Sequence, residues 1–211
     1  MPLGLCRKSF TVVDSVSKLI TWRVWENIKI IPGSYSTRAL RKIQLEGEDL
    51  GYTTEFKGSF SISPPLQKEQ AEYINQFSSS RRMKRDASQC EKFKNPLRKD
   101  LALPVGIDGG YFTGEEELES RDDSILDYNK PPEGQPGLWC QWRVTSDGTR
   151  IEWDGGEKFY FYKEWLRYLI KHFFSRWKRT VNGRVTWQGE DESDKGELIC
   201  IDNAVVATSG L

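Results

Sequence analysis

The chain has 211 residues, of which 37% are hydrophobic and 29% are charged, and its basic and acidic residues balance to no net charge. This composition is typical of a soluble globular protein and argues against disorder of the whole chain. The sequence has no apolar run near the ~18 residues that span a bilayer, and its first twenty residues lack the apolar core of a signal peptide. It therefore predicts a cytoplasmic protein with no membrane partner.

Residues 1–50 are interpreted as an N-terminal segment with two alternatives. Ile20, Trp22 and Val24 alternate with polar residues, which is typical of a strand. A poorly ordered extension is the other interpretation. Residues 51–211 are predicted to form a single α+β domain, because a chain of this length can bury a core.

The first strand of this domain is expected between Tyr52 and Ile62. It is predicted as a hairpin or as one long strand interrupted at Gly58, with Phe60 and Ile62 on the same face. Pro64-Pro65 should end it, because proline cannot donate a hydrogen bond to a sheet.

A helix and a long connection follow. The spacing of apolar residues from Leu66 to Phe77 predicts a helix near residues 66–79, with Ser63 as a candidate cap. Residues 86–136 are rich in glycine, proline and clustered acids, so they are predicted to form a long irregular loop.

The stretch from residue 137 to residue 208 contains six of the eight tryptophans. Residues 157–177 contain no proline or glycine, and they are predicted to form a long amphipathic helix whose first turn receives the Asp154 carboxylate. The expected buried stripe is Tyr162, Trp165, Leu166, Leu169, Phe173 and Trp177.

Strands are predicted on both sides of this helix, because the apolar period changes to two. Residues 138–144 and 150–153 should form a hairpin around Ser146-Asp147-Gly148. Asn182-Gly183 is predicted to be a tight hairpin turn, and Asp202-Asn203 a second one. The predicted fold is α+β, with two main helices on one face of a mostly antiparallel sheet, in the order strand, helix, hairpin, helix, meander. The other face remains for water or a partner.

A basic stretch runs from Arg81 to Lys99 and begins with four cations. They are Arg81, Arg82, Lys84 and Arg85. Such a patch could bind the phosphates of RNA or DNA, or an acidic partner. A solvated surface is the favoured interpretation, since Phe93 is the only aromatic residue among these charges. The neighbouring acidic stretch, from Glu115 to Asp127, could also face the basic one.

Five carboxylates form a candidate metal site in two loops. They are Glu152, Asp154, Glu157, Glu190 and Asp191. If the two loops meet at one edge of the sheet, these oxygens could hold Mg²⁺ or Ca²⁺. The favoured alternative is that Asp154 caps the helix and the second loop is simply solvated, in which case the protein has no cofactor.

Other chemistry-bearing residues give weaker patterns. Asp49, Glu55 and Lys57 have the residue types of some metal-dependent nucleases at a spacing that is common by chance. His172 is the only histidine and is expected to be partly exposed on the long helix. The four cysteines lack the grouping of a zinc site, and Cys140 and Cys200 are interpreted as small buried thiols.

The tryptophans are candidates for an interaction surface. Trp139 and Trp142 have opposite parity in a strand, so at least one of them should point away from the core. Exposed tryptophans are enriched at interface hot spots. The predicted surface consists of Trp139, Trp142, Trp153 and Trp187, next to the acidic loop around residue 190.

Three strings of residues carry a family resemblance. They are Gly137-Leu-Trp-Cys-Gln-Trp142, Glu152-Trp-Asp-Gly-Gly-Glu-Lys-Phe159 and Trp187-Gln-Gly-Glu-Asp191. They resemble a family of small α+β proteins of bacteria and their phages with no established activity, over about residues 58–86 and 137–206. The resemblance implies a bacterial or phage setting and one α+β domain, and it brings no catalytic residue.

The sequence is therefore compatible with two functions. The first is a non-enzymatic protein-interaction module, for example an inhibitor or a defence-related factor. The alternative is a metal-dependent hydrolase or nuclease that uses the five carboxylates, which would have to converge within ~5 Å of a common point.

Overall fold

The computed structural model describes residues 52–106, 111–112 and 123–209. The prediction for residues 1–50 lies outside the described residues, as do Asp49 and most of the predicted acidic stretch. The helices and strands are, in chain order, β1 Thr54–Ser63, α1 Lys68–Ser79, β2 Lys84–Arg85, α2 Ala87–Cys90, α3 Pro96–Asp100, β3 Ile125–Asp127, β4 Trp142–Val144, β5 Arg150–Trp153, α4 Tyr162–Leu169 with a π-helical continuation Ile170–Phe174, β6 Thr180–Gly189, β7 Lys195–Ile201 and β8 Ala204–Ser209.

Within this part of the chain, six strands form one antiparallel sheet in the order β4-β5-β1-β6-β7-β8, and β2 pairs with β3 in a separate short ribbon. Strand β1 lies inside the sheet. Phe60 is opposite Ile151 on one side, and β6 pairs along the whole of β1 on the other, from Thr54 opposite Gly189 to Ser63 opposite Thr180. The predicted α+β fold with a mostly antiparallel sheet is confirmed.

One face of the sheet packs against the helices because alternate strand residues point to it. In β1 these are Phe56, Phe60 and Ile62, which are all buried in the same cluster as Phe77 of α1 and Trp165 of α4. The residues between them have the opposite parity and form an outer face that is mostly polar. The single long strand at β1, one of the two predicted alternatives, is therefore correct.

Helix α1 begins later than its predicted cap. Ser63 is the last residue of β1, and the helix starts after Gln67, whose backbone N–H donates to the Gln70 side-chain oxygen at 3.0 Å. The helix ends at Ser79, as predicted. The predicted irregular loop that follows contains the short helices α2 and α3. The side chains of Asp86 and Asn95, which precede them, cap their first turns.

Helix α4 starts at Tyr162, five residues later than predicted, because Lys158 and Phe161 both have a left-handed φ of 58°. The Asp154 carboxylate accepts from the Gly156 N–H at 2.8 Å, so it does not cap the helix. Every residue of the predicted stripe is nevertheless buried or half-buried. The helix widens after Leu169 into a π-helical turn, in which Ser175 N–H donates to the Ile170 oxygen at 2.8 Å.

The predicted hairpin turn at Asn182-Gly183 is wrong. Both residues lie inside β6, where Gly183 is flanked by Phe60 and Cys200 on the neighbouring strands. Gly183 has a φ of 145°, and a Cβ at this position would lie 2.8 Å from the Ser59 oxygen. The glycine therefore allows a close approach of two strands in the middle of the sheet, where the sequence pattern had indicated a turn.

The other two predicted hairpins are confirmed, although the first strand of one of them begins at Trp142 and not at residue 138. Asp202 and Asn203 have φ of 46° and 70°, the left-handed pair that a two-residue hairpin turn requires. The β4–β5 turn is held by Asp147, which accepts from the Thr145 hydroxyl at 2.6 Å and from the Thr149 N–H at 3.1 Å. These hydrogen bonds lower the pKa of Asp147 to about 2.

Candidate functional site

Two of the four predicted surface tryptophans are part of the core. Trp142 and Trp187 are buried, because they share the inward parity of Val144 and Val185 on their strands. The Trp142 indole N–H donates to the Tyr162 oxygen at 2.8 Å, at the start of helix α4. The outer sheet face therefore carries neither of these side chains, and this part of the predicted surface is corrected.

The remaining two tryptophans differ in exposure. Trp153 is half-buried and its indole N–H donates to the Gln141 side chain at 3.1 Å. Trp139 precedes β4 and is 38% exposed, with the Arg81 guanidinium 5.7 Å from its ring. Trp139 is thus the most accessible of the four.

The turn that leads into α4 exposes two further aromatic side chains. Tyr160 is 52% exposed and Phe161 is 56% exposed. We call residues 158–161 the aromatic turn. The Phe161 ring packs over Gly137, where an added Cβ would lie 3.2 Å from the ring. The aromatic turn is therefore next to the chain segment that carries Trp139.

An open groove of about 470 Å³ lies beside the aromatic turn. One wall consists of residues 134–136. The rest of the lining comes from Phe161 of the aromatic turn and from α4 with its π-helical continuation, which contribute Glu164, Arg167, Tyr168, Lys171 and His172. The groove thus combines apolar surface with several charged side chains.

The floor of the groove is held by a chain of hydrogen bonds between buried polar residues. The Gln135 amide donates to the Tyr168 hydroxyl at 3.0 Å and accepts from Arg82 Nε at 3.2 Å. The Arg82 guanidinium in turn lies 4.3 Å from the centre of the Phe77 ring. Burial raises the pKa of Tyr168 to about 12, so this hydroxyl stays protonated near neutral pH.

His172 also lines the groove. Its ring stacks on Tyr168 with a centroid distance of 4.3 Å, and its Nδ1 is 3.2 Å from the Tyr111 hydroxyl. Burial, followed by the positive charge of Lys171, lowers the pKa of His172 below its usual value. The imidazole is therefore neutral at pH 7, and the fixed positive charge of the groove comes from Arg167 and Lys171.

The three charged side chains of the groove have different partners. Arg167 donates to the backbone oxygen of Val205 at 2.7 Å. Glu164 is 3.7 Å from the ammonium group of Lys163. Lys171 forms no ion pair within the residues that the structure describes. The groove therefore carries one cation that is available to a negatively charged group.

The five predicted metal ligands do not come together. No group of three or more His, Cys, Asp or Glu that could hold a metal ion is found among the described residues.

Four of these carboxylates have partners of their own. Glu152 pairs with Arg143 at 2.8 Å, and Asp154 binds the Gly156 N–H. Glu190 accepts from the Thr53 N–H at 2.7 Å, while Asp191 caps its own loop by accepting from the Ser193 N–H at 2.8 Å. These contacts account for the carboxylates as parts of turns and of the outer sheet face. Glu157 is exposed.

The predicted basic patch is partly buried. Arg82 and Arg85 are almost inaccessible, and Arg85 donates to the Ser124 hydroxyl at 2.6 Å. Arg81 donates to the Tyr128 backbone oxygen at 3.2 Å with its guanidinium over the Tyr128 ring. These cations therefore hold the chain around residues 124–135 to the domain, which corrects the prediction of a patch made by all four.

The described cysteines are structural. Cys90, Cys140 and Cys200 are buried. Burial raises the pKa of Cys140 to about 12 and that of Cys200 to about 11, so neither is a thiolate at neutral pH. Glu55 and Lys57 lie on the outer face of β1, and their predicted companion Asp49 is outside the described residues.

Sequence reasoning missed the aromatic turn because Tyr160 and Phe161 were assigned to the helix. One signal could have separated them, since the predicted apolar stripe begins only at Tyr162 and both residues fall outside it. The left-handed conformation of Phe161 has no local sequence signal, because glycine and asparagine are the residues that usually adopt it.

No described helix has the length and apolar character needed to cross a membrane. Comparison of the chain with protein-family models, with curated proteins and with solved structures finds no match.

Proposed function

We propose that this protein is a non-enzymatic interaction module that binds a protein segment at the aromatic turn and the adjacent groove. The observation that carries the proposal is Phe161, which has a left-handed backbone and yet exposes 56% of its side chain. The bacterial or phage setting implied by the family resemblance fits an inhibitor or a defence-related factor.

The backbone of the aromatic turn supports this proposal. A left-handed residue other than glycine costs ~1–2 kcal/mol, and the turn contains two of them, Lys158 and Phe161. More than half of Tyr160 and of Phe161 is exposed, so their burial offsets only part of this cost. Strained residues of this kind cluster at binding and active sites, where the strain positions a side chain for a ligand.

The groove indicates the chemistry of the partner. Aromatic side chains and arginine dominate interface hot spots. Phe161 lines the groove, the exposed Tyr160 precedes it in the chain, and the exposed Trp139 is two residues from Gly137, which the Phe161 ring contacts. Lys171 at the groove would attract a carboxylate, whereas the neutral His172 adds no charge. We therefore infer a partner segment with an apolar anchor residue and an acidic side chain close to it.

The hydrolase alternative has less support. Four of its five carboxylates bind backbone N–H groups or an arginine within the domain. Among the described residues, no three potential metal ligands are grouped so that they could hold an ion. No contact of these side chains favours it over the interaction module.

The proposal is tested by photo-crosslinking in a bacterial host, with the crosslinking amino acid placed at Tyr160 in one variant and at Thr186 on the outer sheet face in another. We expect a discrete protein adduct from position 160 and none from position 186. In the position-160 variant, Phe161→Gly and Lys171→Glu should each reduce the adduct by roughly tenfold or more, as expected for hot-spot residues.

Ile201→Thr is the matched control, because Ile201 is also strongly exposed but lies on β7, and threonine keeps the branched Cβ of a strand residue. It should leave the adduct unchanged. An adduct that survives both groove variants, or one that forms equally from position 186, would rule out this surface.

A further inference from the structure

Arg82 fixes the direction of the hydrogen bonds at the groove. A guanidinium nitrogen can only donate, so the Gln135 atom that lies 3.2 Å from Arg82 Nε is the amide oxygen. The Gln135 amide nitrogen therefore faces the Tyr168 hydroxyl at 3.0 Å, and because this nitrogen can only donate, the hydroxyl oxygen accepts. The hydrogen of the Tyr168 hydroxyl takes no part in this chain of hydrogen bonds.

The Tyr168 hydroxyl donates to no acceptor among the described residues. Tyr168 is only 8% exposed, and a buried hydroxyl that does not donate has lost its hydrogen bonds to water without replacement. Tyr168 and Gln135 both line the groove, so the groove is the space from which an acceptor reaches this hydroxyl. Burial raises the pKa of Tyr168 to about 12, so the hydroxyl keeps its hydrogen at neutral pH.

The charges beside Tyr168 change sign along the helix. Glu164 lies one turn before Tyr168 and Lys171 one turn after it, and both side chains line the groove. Glu164 is 3.7 Å from the Lys163 ammonium, whereas Lys171 has no ion pair in the described part of the chain. One end of the groove therefore offers an O–H donor and a positive charge side by side.

We propose that this end of the groove binds the side-chain carboxylate of a glutamate or aspartate in the partner segment. One carboxylate oxygen accepts from the Tyr168 O–H, and the Lys171 ammonium donates to the other. This inference rests on the proposed function and adds the atoms by which the acidic residue of the partner is recognised. An amide in place of the carboxylate keeps an acceptor for Tyr168 but brings no charge to Lys171.

A carboxylate fits these donors better than a phosphate does. A phosphate group has three oxygens and nearly two negative charges near neutral pH, and arginine forks are its usual partners. The guanidinium of Arg167, the other cation of the groove, donates to the Val205 backbone oxygen at 2.7 Å, and Glu164 adds a negative charge. One hydroxyl and one unpaired ammonium match the two oxygens and the single charge of a carboxylate.

The helix also sets the distance between the carboxylate and the apolar anchor. The Phe161 oxygen accepts from the Trp165 N–H at 2.8 Å, so Phe161 begins the helical hydrogen bonds, and Tyr168 follows seven residues later. At about 1.5 Å per residue the two lie ~10 Å apart along the helix, which is the length of about three residues of an extended chain. An extended partner that runs along α4 should therefore carry its acidic residue about three positions from the residue that contacts Phe161.

The test is an NMR titration of the full chain with acetyl-Phe-Ala-Ala-Glu-amide, with its reversed sequence, and with the same two peptides carrying glutamine in place of glutamate. We expect amide shifts at residues 161–172. In the better of the two orders, the glutamate peptide should bind roughly tenfold more tightly than the glutamine peptide, as expected for a hydrogen bond to a charged group. Tyr168→Phe, which keeps the ring, and Lys171→Gln should each lower this ratio at least about threefold.

Lys178→Gln is the matched control, because it removes the same charge from an exposed residue that does not line the groove. It should leave the ratio unchanged. Lys171 is exposed as well, so its variant gives a result even if Tyr168→Phe unfolds the domain.

Equal affinity for the glutamate and glutamine peptides would overturn the inference, and so would the absence of shifts at the groove. A ratio that Lys171→Gln or a folded Tyr168→Phe leaves unchanged would also overturn it. If position 160 forms its adduct without this preference for glutamate, only the carboxylate site is wrong. If the peptides bind as expected and position 160 forms no adduct, the carboxylate site stands and the proposed protein partner is wrong.

Discussion

Asn75 on helix α1 takes the place of a neighbouring strand for Val144, because one amide side chain satisfies both the N–H and the C=O of that residue. Asn75→Ala would leave two half-buried backbone groups without partners. We expect a loss of ~1–3 kcal/mol in the free energy of unfolding, measured by urea denaturation.

Glu72→Ala on the same helix is the control for this substitution, since Glu72 is exposed and surface changes of this kind stay within about 0.5 kcal/mol. Hydrogen exchange at the Val144 N–H should also accelerate in Asn75→Ala. Equal stability of the two variants would show that strand β4, at the edge of the sheet, does not depend on this amide.

A substitution at Gly183 tests whether this residue lies inside strand β6 and not in a turn. Gly183→Ala would place a Cβ 2.8 Å from the Ser59 oxygen and 3.0 Å from the Phe60 Cα, in addition to the strain of a φ of 145°. We expect a loss of at least about 3 kcal/mol, which is large for one methyl group.

Gly155→Ala separates the strain from the close contact. Gly155 has a φ of 87° but no atom within 4 Å of an added Cβ, so it should cost only about 1–2 kcal/mol. If Gly183→Ala were no worse than Gly155→Ala, Asn182-Gly183 would lie in an open turn, as the local sequence suggested.

The Asn182-Gly183 pair shows that a local sequence signal for a turn can also occur inside a strand. Asn-Gly is a strong hairpin signal because both residues tolerate positive φ, but the same property allows Gly183 to pass close to Phe60 inside a sheet. The alternation of Val181, Val185 and Trp187 continues through it without a change of parity, which indicated one strand. The long helix was predictable because its stripe consists of local, repeated contacts.

The candidate site was less predictable, because its residues depend on distant partners. Arg82 is buried against Gln135, which is 53 residues away, and Arg85 against Ser124, which is 39 residues away. Nothing in a run of basic residues distinguishes such cations from solvated ones. Trp142 and Trp187 are in the core for a related reason. Their strands point them to one face of the sheet, and distant helices decide that this face is the buried one.

The conformation of Phe161 predicts an unusual stability series. Phe161→Ala loses the ring but keeps the left-handed strain, whereas Phe161→Gly loses both. We expect the glycine variant to be more stable than the alanine variant by ~1 kcal/mol, and to melt close to the wild type, in a thermal denaturation experiment. An alanine variant that matched or exceeded the glycine variant would mean that the turn is not strained.

Protonation of His172 should destabilise the fold. Its folded-state pKa is lower than its usual value of 6.5, because burial and then Lys171 disfavour the charged ring. The unfolded chain therefore binds the proton more readily, and stability is lost as the pH falls below about 6.5 and through the folded pKa. Urea denaturation between pH 7.5 and about 5 should show this loss, and His172→Gln should reduce it.

A pH dependence that was the same in wild type and His172→Gln would assign the effect to other groups. Tyr168, which stacks on the ring, remains neutral across this range because burial raises its pKa to about 12, so it does not contribute to the difference.

The π-helical turn at Ile170–Phe174 changes the direction in which the later side chains of this helix point, compared with an uninterrupted α-helix. An α-helix turns its side chains by about 100° per residue, and a π-helical turn takes up one residue more than an α-helical turn. Leu169 lies before this turn and Trp177 after it, and the extra residue of the turn lets both side chains contact the core. Between them, the adjacent Phe173 and Phe174 are both buried. Deletion of the exposed Lys171 would convert the π-helical turn into an α-helical turn, and the residues that follow would keep the faces that they now present.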